Sequence, residues 1–260
     1  MQRQAFYAMS SMPHFLLIDI SNSMTKIAPS GVAEIEADPL LIPTADITVK
    51  ILEELPWVPR DGSSSVVLSS VVPEKSEVVT AAFGEDCVLK VSSSIELGIG
   101  IDYPTPETIG ADRLANAVAT ASYYGAPAVV VDFGTAVTFD ILSASSAYVG
   151  GVIAPGLSAM TDYMFDHTAL LPRIDLKEPI SVIGKSTEEA MQVGAVLGYR
   201  GLVKDILVAI VNELGCDAPP IIATGGYANL IASGIPAIHI VHDNLTLEGL
   251  RIIGKLNMPE

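Results

Sequence analysis

The same short pattern occurs twice in this sequence, once in each half. FLLIDISNSMTKIA, which starts at Phe15, and AVVVDFGTAVTFDIL, which starts at Ala128, each contain an apolar run, an aspartate, small turn residues and a second apolar run. Short apolar runs bounded by turn residues are typical of buried β-strands joined in a hairpin. Asp19 and Asp132 stand where the first strand of each hairpin meets its turn. This repeat predicts a duplicated domain whose halves each begin with an aspartate-bearing hairpin.

The segments around the two hairpins alternate between strand and helix patterns. Positions 47–55, 75–83 and 188–214 favour helices, whereas positions 66–72 and the runs YVGGVIAP and IIAT favour strands. A further helix is predicted within ETIGADRLANAVATASYYG, starting at Gly110 to Arg113, because apolar residues recur there at helical spacing and the segment ends on a glycine. The alternation predicts an α/β layered fold. We predict an N-terminal extension over 1–13, an N-terminal domain over 14–126 and a C-terminal domain over 127–260.

Composition excludes several classes of protein. Half of the residues are hydrophobic and 17% are charged, which excludes an intrinsically disordered chain. The net charge of −16 would repel a polyanion, so we expect no nucleic-acid partner. Two long uncharged stretches, 114–131 and 141–161, are too rich in Gly, Ser, Thr, Asn, Tyr and Pro for membrane spans. Cys87 and Cys216 form no CxxC pair, which argues against a zinc site and favours a reducing cytoplasm.

The turns of both hairpins have the residues of a phosphate-binding loop. Small residues let backbone N–H groups point at phosphate oxygens, and a carboxylate at the strand end can hold hydrated Mg²⁺. One such turn has an ordinary alternative, in which Asp19, Asn22 and Ser23 only satisfy their own backbone. The second turn, over 132–138, favours the phosphate interpretation, because chance rarely supplies two such turns in two similar halves.

Two further segments could carry chemistry. Gly110-Ala111-Asp112-Arg113 opens the predicted helix, where an aspartate is most often a cap. With Arg113 beside it, the same carboxylate could accept a hydroxyl proton while the guanidinium holds developing phosphoryl charge. Ala223-Thr224-Gly225-Gly226 ends a predicted strand on two glycines, which would let a nucleoside approach the backbone closely. The alternative is an ordinary strand-to-helix turn.

Several other motifs fail. Gly184-Lys185-Ser186 resembles the end of a P-loop, but Pro179 stands where the first glycine is required. His239 and His242 would point to opposite faces of a predicted strand, which disfavours a metal site with Asp243. No GxSxG or HExxH motif occurs, so hydrolases of those types lack their signatures.

Several motifs in register resemble the type III pantothenate kinases of the acetate and sugar kinase, Hsp70 and actin superfamily. The match runs from Phe15 to Ile253 and is carried by TIGADRLANAVA, VDFGTAVTFD, GGVIAPG, IGKSTEEAMQVGAV, ATGG and DNLTLEGL. The resemblance implies an α/β fold of duplicated ribonuclease-H-like domains with an ATP cleft between them. It also implies a cytoplasmic homodimer and a transferase that phosphorylates pantothenate to 4′-phosphopantothenate with ATP, the first step of coenzyme A biosynthesis.

The resemblance also implies roles for individual residues. Asp112 would be the general base that takes the proton from the pantothenate hydroxyl. Asp19 would place Mg²⁺, in part through water, and Asp132 would bind an activating monovalent cation, K⁺ or NH₄⁺. The ATP-binding residues would be Asp19, Ile20, Ser21, Asn22, Ser23, Met24, Thr25, Lys26 and Thr135. The pantothenate-binding residues would be Tyr103, Gly110, Ala111, Asp112, Arg113 and, across the dimer, Thr187.

One position departs from the family pattern. Ser21 stands where the family has glycine in Asp-x-Gly-Asn-Thr/Ser, and serine permits neither close backbone approach nor a positive φ as freely as glycine does. Altered use of ATP is the expected consequence. Two alternatives to pantothenate phosphorylation follow: a non-catalytic homologue that binds or regulates, and a kinase for a different small alcohol.

Overall fold

Two β-sheets, each flanked by helices, organise the fold. The computed structural model describes residues 14–58 and 65–258, so the predicted extension over 1–13 lies outside the described residues. The strands are β1 (Phe15–Ile20), β2 (Met24–Ser30), β3 (Leu40–Pro43), β4 (Ser65–Ser70), β5 (Val88–Lys90), β6 (Gly100–Ile101), β7 (Ala128–Phe133), β8 (Ala136–Leu142), β9 (Ala147–Pro155), β10 (Ile221–Thr224) and β11 (Ile240–Val241). The α-helices are α1 (Val49–Glu53), α2 (Pro73–Phe83), α3 (Ala111–Tyr124), α4 (Leu157–His167), α5 (Thr187–Leu214), α6 (Ala228–Ala232) and α7 (Leu245–Asn257). One-turn 3₁₀ helices lie at Thr44–Asp46, Glu85–Cys87 and Pro106–Thr108.

The two sheets repeat one topology. The first has the order β3-β2-β1-β4-β5, in which β1 is antiparallel to β2 and parallel to β4. The second has the order β11-β10-β7-β8-β9-β6, in which β7 is antiparallel to β8 and parallel to β10. The order β9-β8-β7-β10-β11 of the second sheet corresponds strand for strand to β3-β2-β1-β4-β5 of the first. The second sheet has one extra strand, β6, which pairs with β9. The predicted duplication is therefore confirmed.

The two aspartates of the repeat occupy equivalent places. Each is the fifth residue of its six-residue strand, Asp19 in β1 and Asp132 in β7. In the parallel pairing, a hydroxyl residue lies in register with each aspartate, Ser69 of β4 with Asp19 and Thr224 of β10 with Asp132. The repeat thus places a carboxylate and a neighbouring hydroxyl at the carboxyl end of the central strands in both sheets.

The chain divides into two compact units that interleave along the sequence. Within the described residues, the first unit lies in Met1–Glu96, Gly110–Asp112 and Leu250–Glu260, and the second in Leu97–Ile109 and Arg113–Gly249. Neither unit is one continuous segment, because α3 and α7 each contribute residues to both. The ranges 14–126 and 127–260 remain a prediction for the domains.

Each unit has its own hydrophobic core. In the first, Leu16 and Ile18 of β1 pack with Leu52 of α1 and with Val79 and Phe83 of α2. In the second, the inner residues of β7 and β8 pack against one face of α5, where buried residues recur at helical spacing. The buried face of α5 is formed by Met191, Gln192, Ala195, Val196, Tyr199, Arg200, Val203, Leu207 and Ile210.

Most predicted elements are present with shifted ends. The helix predicted over 47–55 is the shorter α1, which begins after Thr48, whose hydroxyl accepts from the Ile51 N–H. The strand predicted over 66–72 ends at Ser70, because Pro73 begins α2 two residues before the predicted start. Ser186 of the failed P-loop motif caps α5 by accepting from the Glu189 N–H. Among the described residues, no helix has both the length and the apolar composition needed to cross a bilayer.

Candidate active site

Asp19 is a buried carboxylate at the end of β1. Its side chain is only 6% exposed, and its Oδ1 accepts a hydrogen bond from the Ser69 hydroxyl at 2.9 Å. Lys26 of β2 lies directly opposite Asp19 in the antiparallel register. Burial and the hydroxyl contact hold the carboxylate in one orientation, which suits it to position a charged ligand.

The turn that follows Asp19 is held by a residue from a distant segment. Thr44 donates its hydroxyl to the Ser21 carbonyl at 2.7 Å and its N–H to the Ser23 carbonyl at 3.0 Å. Thr25, which is fully buried, lies 3.0 Å from the Thr44 hydroxyl oxygen. Sequence reasoning missed Thr44, because it belongs to no motif and lies 23 residues after Ser21. Thr44 therefore holds the turn in place by hydrogen bonds, and the buried Thr25 contacts Thr44 in turn.

Serine fits the backbone at position 21. Among the described residues other than glycine, a positive φ occurs at Ser146 and Ala218 and not at Ser21. Serine therefore causes no backbone strain at position 21, because a position with negative φ does not require glycine. The turn also keeps its backbone closure, in which the Ser21 N–H donates to the Met24 carbonyl at 3.1 Å.

The other predicted ATP-binding residues of this turn differ in exposure. Asn22, Ser23 and Met24 are exposed, whereas the side chains of Ile20 and Thr25 are buried. A nucleotide at this turn would therefore meet Ile20 and Thr25 through their backbone only. Among these positions, the exposed turn residues and the half-buried Lys26 are those whose side chains a ligand could reach.

Asp132, the equivalent aspartate of the second unit, is oriented by two polar side chains. The Asn116 amide donates to Asp132 Oδ2 at 3.1 Å, and the amide oxygen accepts from the Thr246 hydroxyl at 2.8 Å. Asn116 and Thr246 are both buried. Sequence reasoning assigned neither a role, although both lie in motifs that carried the resemblance, TIGADRLANAVA and DNLTLEGL. The chain of contacts from α7 through α3 fixes the orientation of the Asp132 carboxylate.

Gly225 is the residue that lets the end of β10 approach Asp132. Its φ is +92°, and a Cβ placed on it would lie 2.5 Å from Asp132 Oδ1 and 2.7 Å from the Phe133 nitrogen. Gly226 has a similar sequence context, but a Cβ placed on it would meet no atom within 4 Å. The first glycine of ATGG is thus required by the protein's own backbone, a role that the sequence did not reveal.

We expect Gly225→Ala to lower the free energy of unfolding by about 2 kcal/mol, because the new Cβ would be strained and would overlap Asp132 and Phe133. Gly226→Ala is the matched control and should change it by less than about 0.5 kcal/mol. Urea unfolding followed by circular dichroism measures both. Equal effects of the two substitutions would contradict the contacts assigned to Gly225.

The turn after Asp132 contains Thr135, predicted to contact phosphate. Its side chain is exposed, and its carbonyl accepts from the Gly156 N–H at 3.1 Å. A Cβ at Gly156 would overlap that same carbonyl, so the start of α4 lies directly against the turn. The backbone of the turn is therefore fixed by the Gly156 contact, and the residue Thr135 itself is exposed.

Asp112 and Arg113 lie in the first turn of α3, as predicted. Both are partly buried, and Gly110 precedes the helix. The first N–H groups of a helix lack partners within the helix and carry partial positive charge, which favours anions nearby. A carboxylate and a guanidinium on adjacent residues at this end of a helix can accept a proton and hold negative charge.

Arg113 is held by a buried carboxylate that sequence reasoning missed. Its Nε donates to Asp140 Oδ1 at 2.6 Å, and the same oxygen accepts from the Tyr148 hydroxyl at 3.1 Å. The Thr138 hydroxyl donates to Asp140 Oδ2 at 3.3 Å. We refer to Arg113, Thr138, Asp140 and Tyr148 as the Arg113 cluster. The available signal was a charged residue within the apolar strand TFDIL, which requires a partner when buried.

The Tyr148 ring completes the surroundings of Arg113. The guanidinium carbon lies 5.7 Å from the ring centroid, and Tyr103 meets the same ring edge-on at 6.1 Å. Burial, followed by the Asp140 carboxylate, raises the pKa of Tyr148 far above its ordinary range, so its hydroxyl keeps its proton and donates. Tyr103, the predicted pocket residue, is half-buried beside the Arg113 cluster.

Thr187, a predicted pantothenate-binding residue, lies neither at the two aspartate turns nor in the Arg113 cluster. It is exposed at the first turn of α5, next to the capping Ser186. No hydrogen bond joins Thr187 to a residue of the Arg113 cluster within the part of the chain that the structure describes.

Among the described residues, the side chains present could hold a metal only together with water or a ligand. Within residues 14–58 and 65–258, no three His, Cys, Asp or Glu side chains come together as a metal site would require. His239 and His242 flank the two-residue β11, so the opposite-face argument does not apply to them. Instead, His242 Nδ1 lies 2.9 Å from the Tyr124 hydroxyl. Mg²⁺ is commonly bound by one or two carboxylates together with waters and phosphates, which Asp19 alone can support.

Comparison with known proteins gives one family. The sequence model of the type III pantothenate kinases matches residues 15–209. The chain is 51% identical to a type III pantothenate kinase of Akkermansia muciniphila, over 94% of this chain and 99% of that protein. It is 46% identical to a type III pantothenate kinase of Methylacidiphilum infernorum, over 93% of this chain and 88% of that protein.

Solved structures share the fold at low sequence identity. MreB 5 of Spiroplasma citri bound to AMPPNP has a TM-score of 0.54 and 11% identity, covering 94% of this chain and 97% of that chain. The activator of the 2-hydroxyisocaproyl-CoA dehydratase from Clostridium difficile with bound ADPNP has a TM-score of 0.53 and 12% identity, covering 93% and 95%. At this identity the likeness shows the fold alone, that of duplicated ribonuclease-H-like domains.

Proposed function

The chain belongs to the type III pantothenate kinase family, and from this premise we propose that it phosphorylates pantothenate to 4′-phosphopantothenate with ATP, opening coenzyme A biosynthesis. The observation that carries the proposal is the pair Asp112 and Arg113 at the start of α3, with Arg113 held by Asp140 at 2.6 Å. Every acidic residue to which the family resemblance gives a role, including Asp19 and Asp132, is present.

Asp112 acts as the general base in this proposal. Its carboxylate accepts the proton of the pantothenate primary hydroxyl as that oxygen bonds to the γ-phosphorus of ATP. The bond between the γ-phosphorus and its bridging oxygen breaks, and ADP leaves with the electron pair. Arg113 balances the negative charge of the bound substrate and of the transferring group. Positioning and charge neutralisation carry most of the rate enhancement, as in other phosphoryl transfers.

The two aspartates of the repeat are assigned to cations. We place Mg²⁺ near Asp19, where the ion when bound neutralises phosphate charge, and K⁺ or NH₄⁺ near Asp132. Asp19 fits because a single buried carboxylate can support a partly hydrated Mg²⁺ on the ATP phosphates. Asp132 fits because Asn116 engages Oδ2 and so fixes the orientation of the carboxylate. In the same proposal, Lys26 and Thr135 contact ATP phosphates.

We expect replacement of K⁺ by Na⁺ at constant ionic strength to reduce the rate severalfold, because the larger, more weakly hydrated ion suits a site with one carboxylate. Asp132→Asn should remove this difference. Thermal unfolding in K⁺ and in Na⁺ provides a second readout, since an ion that binds the folded state raises Tm. Rates and Tm values that are the same in both salts would show that Asp132 does not bind an activating monovalent cation.

A homodimer is part of the proposal. Exposed apolar side chains of the second unit concentrate in α4 and in the segment that leads to α5, and surfaces of this kind commonly mark interfaces. They include Tyr163, Leu170, Ile180, Val182 and Ile183, which are between 63% and 106% exposed. Thr187, the first residue of α5, follows Ile183 by four residues and would reach the partner's pantothenate site.

We expect Ile183→Glu to convert the dimer into a monomer, because it would bury a charge in an apolar interface. Sedimentation equilibrium measures the mass directly. Leu41→Glu, which changes a 57% exposed apolar residue of β3, is the matched control and should stay dimeric. A wild-type protein that sediments as a monomer would refute the dimer, whatever the variants do.

The cytoplasm is the proposed location, and neither nucleic acid nor a membrane is a proposed partner. Cys87 and Cys216 are both free thiols, as a reducing compartment allows. The high negative charge opposes binding to anionic polymers and surfaces.

Pantothenate-dependent release of ADP tests the reaction and its acceptor. The protein should release ADP with pantothenate and not with other small alcohols at the same concentration. ADP release with a different alcohol would instead support the kinase of altered specificity. ATP binding without any release of ADP would support the non-catalytic homologue, the alternative suggested by Ser21 at the family's glycine position.

A further inference from the structure

Asp140 is a buried charge that the fold itself does not need. It is 1% exposed in the middle of β8, between the apolar residues Phe139 and Ile141. An ionised carboxylate in such a place is costly unless it is paired and hydrogen bonded. In the first unit, the equivalent position of the hairpin is Ala28, two residues after the partner of Asp19. The same topology thus folds around an alanine where the second unit has a carboxylate.

The hydrogen bonds of the Asp140 carboxylate converge on Arg113. Arg113 Nε and the Tyr148 hydroxyl donate to Oδ1 at 2.6 and 3.1 Å, and Thr138 donates to Oδ2 at 3.3 Å. Tyr148 contacts the same guanidinium through its ring at 5.7 Å. The neutral hydroxyls orient the carboxylate, and the carboxylate orients the arginine. Tyr148 and Thr138 therefore fix the position of Asp140, and Asp140 in turn fixes the position of Arg113.

The contact at Nε fixes the plane of the guanidinium group. The Nε–H bond lies in that plane, so a short bond to Asp140 sets its tilt about the side chain. A Cβ at Gly151 would overlap both Arg113 Nη2 and the Phe139 carbonyl, so the guanidinium lies directly against the β9 backbone. An arginine side chain has many rotamers, and one that is fixed in advance loses less conformational entropy when a ligand binds.

We propose that Asp140 is a positioning residue that holds Arg113 in the orientation needed to bind pantothenate and the transferring phosphoryl group. Asp140 touches no substrate and acts only through Arg113. This inference rests on the proposed function. It adds a residue that the family resemblance did not assign, and Tyr148 supports the same arrangement by donating to Asp140.

A double-mutant cycle in the full-length protein tests this role. Asp140→Asn should raise the KM for pantothenate about tenfold and leave the KM for ATP within about twofold. In an Arg113→Lys background, the same substitution should have almost no further effect, because the group it positions is gone. Asp140→Glu should recover part of the loss. Asp217→Asn, which alters an exposed aspartate after the end of α5, is the matched control and should leave both KM values unchanged.

Tyr148→Phe keeps the test decisive if Asp140→Asn does not fold. It removes one donor to Asp140 and should raise the pantothenate KM by about threefold in the wild-type background only. Additive effects in both backgrounds, or equal rises in the two KM values, would overturn the positioning role. A wild-type protein that makes no phosphorylated product would instead overturn the proposed function, so the two failures are distinguishable.

Discussion

Asp112→Asn is expected to lower kcat by about 100-fold or more, because loss of a general base typically costs that factor. Asparagine has the same shape but cannot take the hydroxyl proton. The KM values for pantothenate and ATP should change little, since the interaction lost is one made in the transition state. Steady-state kinetics with ADP detection measures kcat and both KM values.

Folding should survive this substitution. Loss of one negative charge in the first turn of α3 costs about 0.3–1 kcal/mol, a small part of the stability of a domain. Asp86→Asn, at an exposed aspartate in the 3₁₀ turn Glu85–Cys87, is the control and should retain full activity. A kcat for Asp112→Asn above a tenth of the wild-type value would show that the base is another group.

Asp19→Asn is expected to lower kcat/KM for MgATP by about 10² to 10³-fold, comparable to removing one preorganised electrostatic group from an active site. The amide oxygen of asparagine can still accept the Ser69 hydroxyl bond, so the structural contact is kept while the charge is lost. The effect should therefore appear in the use of MgATP and not in stability. Initial rates at varied MgATP measure it.

Ser69→Ala separates orientation from charge at the same site. It leaves Asp19 charged but removes the hydrogen bond that orients it, so we expect a loss of only a few fold. Asp38→Asn, at an exposed aspartate of the first unit, should have no effect. If Asp19→Asn and Asp38→Asn had similar activities, Asp19 would have no role in ATP use.

The repeat could be predicted from sequence because its signal is local. Each hairpin is a short apolar run, an aspartate and a turn, and the register then places Asp19 and Asp132 at equivalent strand ends. The start and end of α3 followed in the same way from periodicity and a terminal glycine. Element ends were less exact where a cap or proline decided them, as at Thr48 and Pro73.

The supporting residues could not be predicted because their contacts join distant segments. Thr44 holds a turn more than twenty residues earlier, and Thr246 reaches Asn116 across 130 positions. Nothing in the local sequence of a buried threonine tells which carbonyl or amide it will meet. Asp140 gave a signal as a charge in an apolar strand, but its partner Arg113 lies 27 residues away on a helix.

Ser21 shows a different limit of sequence comparison. Glycine at that position in the family suggested a backbone conformation that serine would resist, and the φ of Ser21 is not positive. A residue type common at a position does not by itself reveal which property of that residue is used. At Gly225 the reverse holds, since the positive φ and the close approach to Asp132 both require glycine.

Mass-spectrometric detection of 4′-phosphopantothenate tests the proposed reaction most directly. Purified protein is incubated with pantothenate, ATP, Mg²⁺ and K⁺, and Asp112→Asn is run in parallel. We expect one equivalent of 4′-phosphopantothenate for each ATP converted to ADP, with product lowered about 100-fold in the variant. A folded wild-type protein that leaves pantothenate unchanged at millimolar ATP would contradict the proposed reaction.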